Sequence, residues 1–321
     1  MEKTPVKGTS DLVGSETQLS LVTFSTPNFN YSKKILIRSA KNAGIKSIPA
    51  YTDKDFKKTS FYAANYKIAS QPRGAGYWIW KPYYILEHLK RAKDGDVIFY
   101  CDAGVSIIKD IDPLVNICLS NEKNNGVLLF RNYQGASYIG PGFEKTDEML
   151  YHEAIKNKYW GKRDVFVLMG MDEEKYWNSP QIEGCFMFFK KTAFVMQFVI
   201  EWLKYCCDEN IVTDKPNTQG KPNFDNFIMH IHDQVVLSLL AEKYNLELFR
   251  CPSQFGNHKK LEKYREPGEY LMLPYTDPEK NSDYDTLFFH HRIKKMPFFK
   301  QRIFDTKVFI KKQANKLGIN W

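Results

Sequence analysis

No stretch of this sequence approaches the roughly 18 consecutive apolar residues that a membrane-spanning helix needs. The opening residues, MEKTPVKGTSDLVGSETQ, lack the apolar core of a secretory leader, so none is expected. Cysteine is sparse: Cys101, Cys118, Cys185, Cys206, Cys207 and Cys251 form no C-x-x-C pair. A zinc site is therefore not expected. A chain of 321 residues buries a core without disulfide staples, so reduced thiols and a cytoplasmic location are the expectation. Both common phosphate-binding signatures, G-x-x-x-x-G-K-[ST] and G-x-G-x-x-G, are missing. No internal repeat is present, and no break in composition demands a domain boundary.

Aromatic residues and positive charge are plentiful. Aromatics make up 15% of the chain, which suits a large core or flat faces that hold sugars or bases, and equally an AT-rich coding bias. The net charge of +9 favours encounter with anionic partners such as nucleotides or phospholipid headgroups. The basic residues are spread along the chain, and no RNP, zinc-finger or helix-turn-helix pattern occurs, so nucleic acid is not expected as a partner.

The apolar pattern predicts an α/β fold. Leu19–Thr26 reads as a strand, and Asn30 onward as a helix closed by Gly44. Lys46–Thr52 reads as a second strand, and Tyr83–Lys93 has helical spacing. Asp96–Tyr100 reads as a buried strand, Pro113–Lys123 as a helix and Gly126–Asn132 as a strand. Strands alternating with helices over this stretch predict βαβ units and a mostly parallel sheet. Further on, Cys185–Lys191 reads as a strand before an amphipathic helix, and Asp233–Asn245 as a helix before a closing strand, LELFRCP.

Candidate chemistry concentrates in a few segments. In YCDAG, Asp102 and Gly104 follow a buried strand, at the edge where open α/β sheets bind ligands. Asp102 there suits a divalent cation that holds a diphosphate, and Gly104 lets a ligand approach the backbone; an ordinary turn Asp-Gly explains the pair equally well. In RGAGYWIWKP, Arg73, the glycines and Lys81 at a helix start form a candidate anion cradle. Trp78 and Trp80 fit either that cradle or the core. In NSPQIEGCFMFF, Gln181 and Glu183 alternate and face the same way; Glu183 is a candidate base or a strand-edge carboxylate. Asp233 and Gln234 open a helix, where Asp233 serves as a cap, a site residue or both. His230 and His232 lack further metal ligands nearby. His290 and His291 come late in the chain, either as surface residues or as a return to Asp102.

The order of these pieces resembles the nucleotide-sugar-dependent glycosyltransferases of the GT-A fold, over about Leu19 to Arg292. Within them it looks like a bacterial and viral group carrying W-x-W-K-P and D-A-G in place of D-x-D. WIWKP and CDAG are the specific part of the likeness; the rest is generic. The resemblance implies one Rossmann-like domain, 1–295, with a mixed, mostly parallel sheet flanked by helices. It implies transfer from a UDP- or GDP-sugar to a glycan or lipid-linked hydroxyl. It implies Mn²⁺ or Mg²⁺ on Asp102, with His290 or His291 assisting; the expected metal pair is Asp102 and His291. Gly104 stands where the second acid of D-x-D falls, and the alternative is that Arg73 and Lys81 hold the diphosphate without metal. Arg73, Trp78, Lys81, Asp102 and Gly104 are the expected donor-binding residues, and Asp233, Gln181 and Glu183 the expected catalytic ones. The tail 296–321 interleaves Phe and Ile with Lys and Arg, which suits either a packed helix or contact with the inner face of a membrane. A non-catalytic sugar- or nucleic-acid-binding protein is the competing reading.

Overall fold

The computed structural model describes residues 17–132, 155–225, 227–256 and 281–293. The basic tail and the boundary expected at 295/296 lie outside the described residues.

Eight strands are described: β1 (Leu19–Ser25), β2 (Ala50–Thr52), β3 (Val97–Cys101), β4 (Val105–Ile107), β5 (Val127–Phe130), β6 (Phe186–Lys190), β7 (Leu248–Phe249) and β8 (Phe288–His290). Six of them form one sheet in the order β2-β1-β3-β6-β5-β7. β1 runs parallel to β2 and β3, and β5 parallel to β7. β6 lies between β3 and β5 and runs antiparallel to both. The sheet is thus mixed and mostly parallel. β4 and β8 pair antiparallel as a separate ribbon beside it, which the apolar pattern did not predict.

The long helices are α1 (Asn30–Asn42), α2 (Trp80–Arg91), α3 (Asp112–Ser120), α4 (Ala193–Cys206) and α5 (Asp233–Lys243). The two-residue period of the strands sorts their side chains onto two faces. Ile98, Tyr100, Met187 and Phe189 pack with Ile85 and Leu89 of α2, Trp202 of α4 and Leu240 of α5. Val97, Phe99, Phe186 and Phe188 pack on the opposite face with Leu36 of α1 and Leu114 of α3. Phe99 and Phe188 stack across the strands at 4.2 Å. Each fully buried side chain of this size contributes about 1.5–3 kcal/mol. Apolar faces on both sides of the sheet require helices on both, which gives an α/β sandwich of three layers.

Two strands are shorter than their sequence predicts. The second begins at Ala50, because Pro49 has no N–H to donate to a regular ladder. The closing strand is only Leu248–Phe249, at the sheet edge beside β5.

Direction matters for the site. The carboxyl ends of β1, β3 and β5 share one edge, and the amino end of the reversed strand β6 joins them. Cys101 pairs with Phe186, so the segment leaving β3 meets the segment entering β6. There the Asp102 N–H donates to the Cys185 carbonyl at 2.7 Å.

Candidate active site

Along that edge opens a cavity of about 700 Å³. Such a volume falls in the roughly 300–1,000 Å³ range of small-molecule sites. Thr26 after β1, Asp102 and Gly104 after β3, Asn132 after β5 and Cys185 before β6 all line it.

Its floor is a buried charge cluster. Lys81, in the first turn of α2, places Nζ 3.1 Å from Asp233 Oδ2, at the start of α5, and donates to the Gly184 carbonyl at 2.9 Å. Both side chains are buried. Burial opposes the Lys81 charge, but Asp233 and then Asp102 outweigh it and hold the ammonium protonated. Burial raises the Asp233 carboxyl to about 6; Lys81 pulls it down and Asp102 adds to the rise. The buried Tyr100 hydroxyl donates to Asp102 Oδ1. Lys81, one of the expected donor-binding residues, lines the cavity and is engaged there by Asp233 and Gly184. Asp233 is the first residue of α5, and its side chain meets Lys81, while His232 occupies the cap position.

One wall is an unusual backbone. Gly74, Ala75, Gly76, Tyr77 and Trp78 all have positive φ, from 51° to 95°. A left-handed turn costs an L-residue about 1–2 kcal/mol, so Ala75, Tyr77 and Trp78 are strained. The turn is clamped by Gly76 N–H to the Gln71 carbonyl at 2.8 Å and by the Trp80 indole N–H to the Gly74 carbonyl at 2.9 Å. It presents Arg73 and Trp78 to the cavity. Trp78 stacks on His232 at 5.4 Å, whereas Trp80 is buried against Phe24 at 3.9 Å. Arg73 Nε donates to His232 Nε2 at 2.8 Å and lies 3.1 Å from Asp214 Oδ2. The arginine must donate, so His232 Nε2 accepts and its proton sits on Nδ1, bonded to the Val212 carbonyl at 2.8 Å. Burial lowers the His232 pKa to about 4, which keeps the ring neutral in this role. His230 is likewise held by the Ile211 carbonyl. Both histidines are structural supports of this wall.

On the opposite side Gln181 Oε1 accepts from Asn132 Nδ2 at 3.1 Å and from Gln234 Nε2 at 3.3 Å. Gln181 Nε2 is buried at the cavity edge with no hydrogen-bond partner among the described residues. Glu183 does not line the cavity. It is buried, and its Oε1 accepts the Cys185 N–H at 3.1 Å. Of the late histidines, His290 borders the cavity and His291 does not. The alternation of β8 explains this: Phe288 and His290 point inward together. Neither ring nitrogen of His290 has a hydrogen-bond partner among the described residues. Arg292, which the sequence reading passed over, also lines the cavity beside Gly104. Its signal was faint, because it sits in a run of basic residues.

The described residues do not by themselves form a protein cage for a resident divalent ion. Such an ion takes about six oxygen ligands, with carboxylates prominent. Asp102, Cys185, Asp233 and His290 all border the cavity. Yet among the described residues no three such donors converge closely enough to hold a metal. Gly104 offers no side chain, and the charges of Lys81 and Arg292 both act on or near Asp102.

No protein-family model matches the chain, and no curated protein matches it. Among solved structures, mouse xyloside xylosyltransferase 1 in its apo form is similar at 9% identity and a TM-score of 0.45, over 88% of this chain and all of that one. The WbbM bifunctional glycosyltransferase in its apo form is similar at 9% identity and a TM-score of 0.38, over 70% of this chain and 37% of that one. At these values the likeness assigns no chemistry.

Proposed function

We propose that this chain is a glycosyltransferase that moves a sugar from a nucleoside-diphosphate donor, a UDP- or GDP-sugar, to the hydroxyl of a glycan or lipid-linked acceptor. The observation that carries the reading is the buried Lys81–Asp233 pair beside Asp102, inside one cavity at the carboxyl edge of the sheet. A carboxylate raised to about 6 is a proton acceptor suited to neutral pH. Sugar-to-phosphate cleavage sends its electron pair to the diphosphate oxygen. The acceptor oxygen forms the new bond to the anomeric carbon, and its proton passes to Asp233. Cationic groups on the rim, Arg73 among them, meet the charge that grows on the leaving diphosphate. Trp78 offers a flat face to the base or sugar, and the Gln181 and Gln234 amides serve the acceptor side. Lys81 keeps Asp233 oriented, and so acts through it. The likeness of the WIWKP and CDAG segments to GT-A enzymes agrees with this reading.

The six cysteines form no disulfide, which supports a reducing, cytoplasmic setting. No helix among the described residues is long and apolar enough to cross a membrane. Contact of the tail with the inner membrane face belongs to this reading through its lipid-linked acceptor.

The test is a thermal-shift panel of UDP-, GDP-, CMP- and dTDP-sugars on the full chain. A ligand at a hundredfold excess over Kd adds about 2.7 kcal/mol. One nucleotide family raising Tm, followed by product formation with an oligosaccharide acceptor, is expected. Folded protein that responds to none of them would favour a binding module instead.

A further inference from the structure

The two N–H groups of His291 and Arg292 both donate to the Gly104 carbonyl, at 2.9 and 3.0 Å. They turn the chain after β8 so that Arg292, at φ 42°, lies over Gly104. A Cβ built on Gly104 would come within 3.3 Å of both Arg292 Cα and Cγ. Any side chain at 104 would therefore push into the stem of Arg292. The absence of a second acid after Asp102 and the presence of this guanidinium are one arrangement. Arg292 is exposed at the cavity rim; the carboxyl groups of Glu183 and Asp102 favour its charge, and its guanidinium donates to Cys185 Sγ at 3.8 Å. Beside it His290 is 7% exposed, borders the cavity and has two ring nitrogens without hydrogen-bond partners among the described residues. A buried polar ring in that state loses hydrogen-bond energy until a ligand supplies a partner. An imidazole carries at least one N–H to donate, whether neutral or protonated.

We infer that Arg292 is the cation of the diphosphate subsite, standing in for a divalent ion, with His290 donating a second hydrogen bond to the phosphates. A guanidinium fits two phosphate oxygens with parallel N–H groups, which an ammonium does not. The inference rests on the glycosyltransferase reading for the identity of the anion as a nucleoside diphosphate.

The experiment is isothermal titration of the full chain with UDP, GDP and inorganic pyrophosphate, first in EDTA and then in Mn²⁺. One nucleotide is expected to bind within twofold of the same affinity in both conditions. Arg292→Gln should weaken binding at least tenfold with an unchanged circular dichroism spectrum, and Arg292→Lys should recover only part. Gly104→Asp should also weaken metal-free binding, by displacing Arg292. Binding that vanishes in EDTA and returns with Mn²⁺, or Arg292→Gln binding like the parent, overturns the inference. Pyrophosphate binding that depends on Arg292, with no nucleotide bound, keeps the anion subsite and removes the sugar-nucleotide reading. No binding of any of the three overturns both.

Discussion

Lys81 Nζ stands 3.1 Å from Asp233 Oδ2, with both side chains about 4% exposed. A buried pair of this kind costs most when only one member is removed, because the other charge stays behind. Lys81→Met is expected to lower the unfolding free energy by about 3–5 kcal/mol. The double variant Lys81→Met, Asp233→Leu should recover much of that loss. Urea denaturation of the single and double variants checks this; strictly additive losses would show that the two groups are not coupled.

The same carboxyl sets a pH dependence. Burial places the Asp233 pKa near 6, above the ordinary 3.8. Below about 6 the group is protonated and accepts no proton. The rate of glycosyl transfer should therefore climb with pH up to about 6 and then level off. Asp233→Asn should leave a low rate without that rising limb. The stability effect has the opposite sign. The folded chain holds this proton more tightly than the unfolded one, so the group's contribution to stability falls as pH rises from about 4 to about 6. Initial rates and Tm, each measured from about pH 4 to about pH 8, separate the two.

Arg73 bears on both binding and stability. It is half-exposed and so is its partner Asp214, so their ion pair is worth at most about 1 kcal/mol and is weakened by salt. Arg73→Ala should lower Tm modestly, chiefly because the buried His232 Nε2 loses its donor, at a cost of about 1–3 kcal/mol. Affinity for the nucleotide donor should also fall about tenfold, since a charge-assisted hydrogen bond to phosphate is worth about 1.5–3 kcal/mol. Parallel titration and melting check the two effects.

Gly76 carries the left-handed turn. Its φ is +95°, and a Cβ there would lie 2.7 Å from the Ala69 Cα and 2.8 Å from the Ala69 carbonyl oxygen, both backbone. Gly76→Ala must therefore shift main chain as well as bear conformational strain. A loss of about 2–4 kcal/mol is expected, within the range for strained backbone positions. Donor binding should fall with it, because Arg73 and Trp78 hang on that turn. Gly95→Ala makes a control: its φ is +90° but open space surrounds it, so only the conformational cost of about 1 kcal/mol applies. Chemical denaturation of both variants tests the difference.

Much of this architecture can be read from apolar spacing. Leu19–Ser25, Val97–Cys101, Val127–Phe130 and Phe186–Lys190 stand within a residue or two of the predicted strands, and the helices Asn30–Asn42 and Asp233–Lys243 within two of theirs. The direction of β6 was not legible: CFMFFKK is buried on both faces, and such a run looks alike in either orientation. Asp102, Arg73, Trp78, Gly104, Gln181 and Asp233 do share one cavity. Glu183 points elsewhere because the chain bends at Gly184, where the strand alternation assumed for QIEGC has not yet begun. Which of His290 and His291 borders the cavity was not legible either, since the short strand β8 fixes the parity only through its pairing of His290 with Val105. The Gly-Ala-Gly sequence hints at a left-handed turn, but nothing in Tyr77 or Trp78 says that they continue it.

The reversed central strand also orders events in time. β6 alone joins the block β2-β1-β3 to the block β5-β7. A ribosome releases β3 and β5 well before it releases Phe186–Lys190, so a growing chain carries two open apolar edges at once. Such edges invite pairing with other chains. The segment that closes the sheet also delivers Gln181 and Cys185 to the cavity, so a chain that holds ligand has already passed the point of danger.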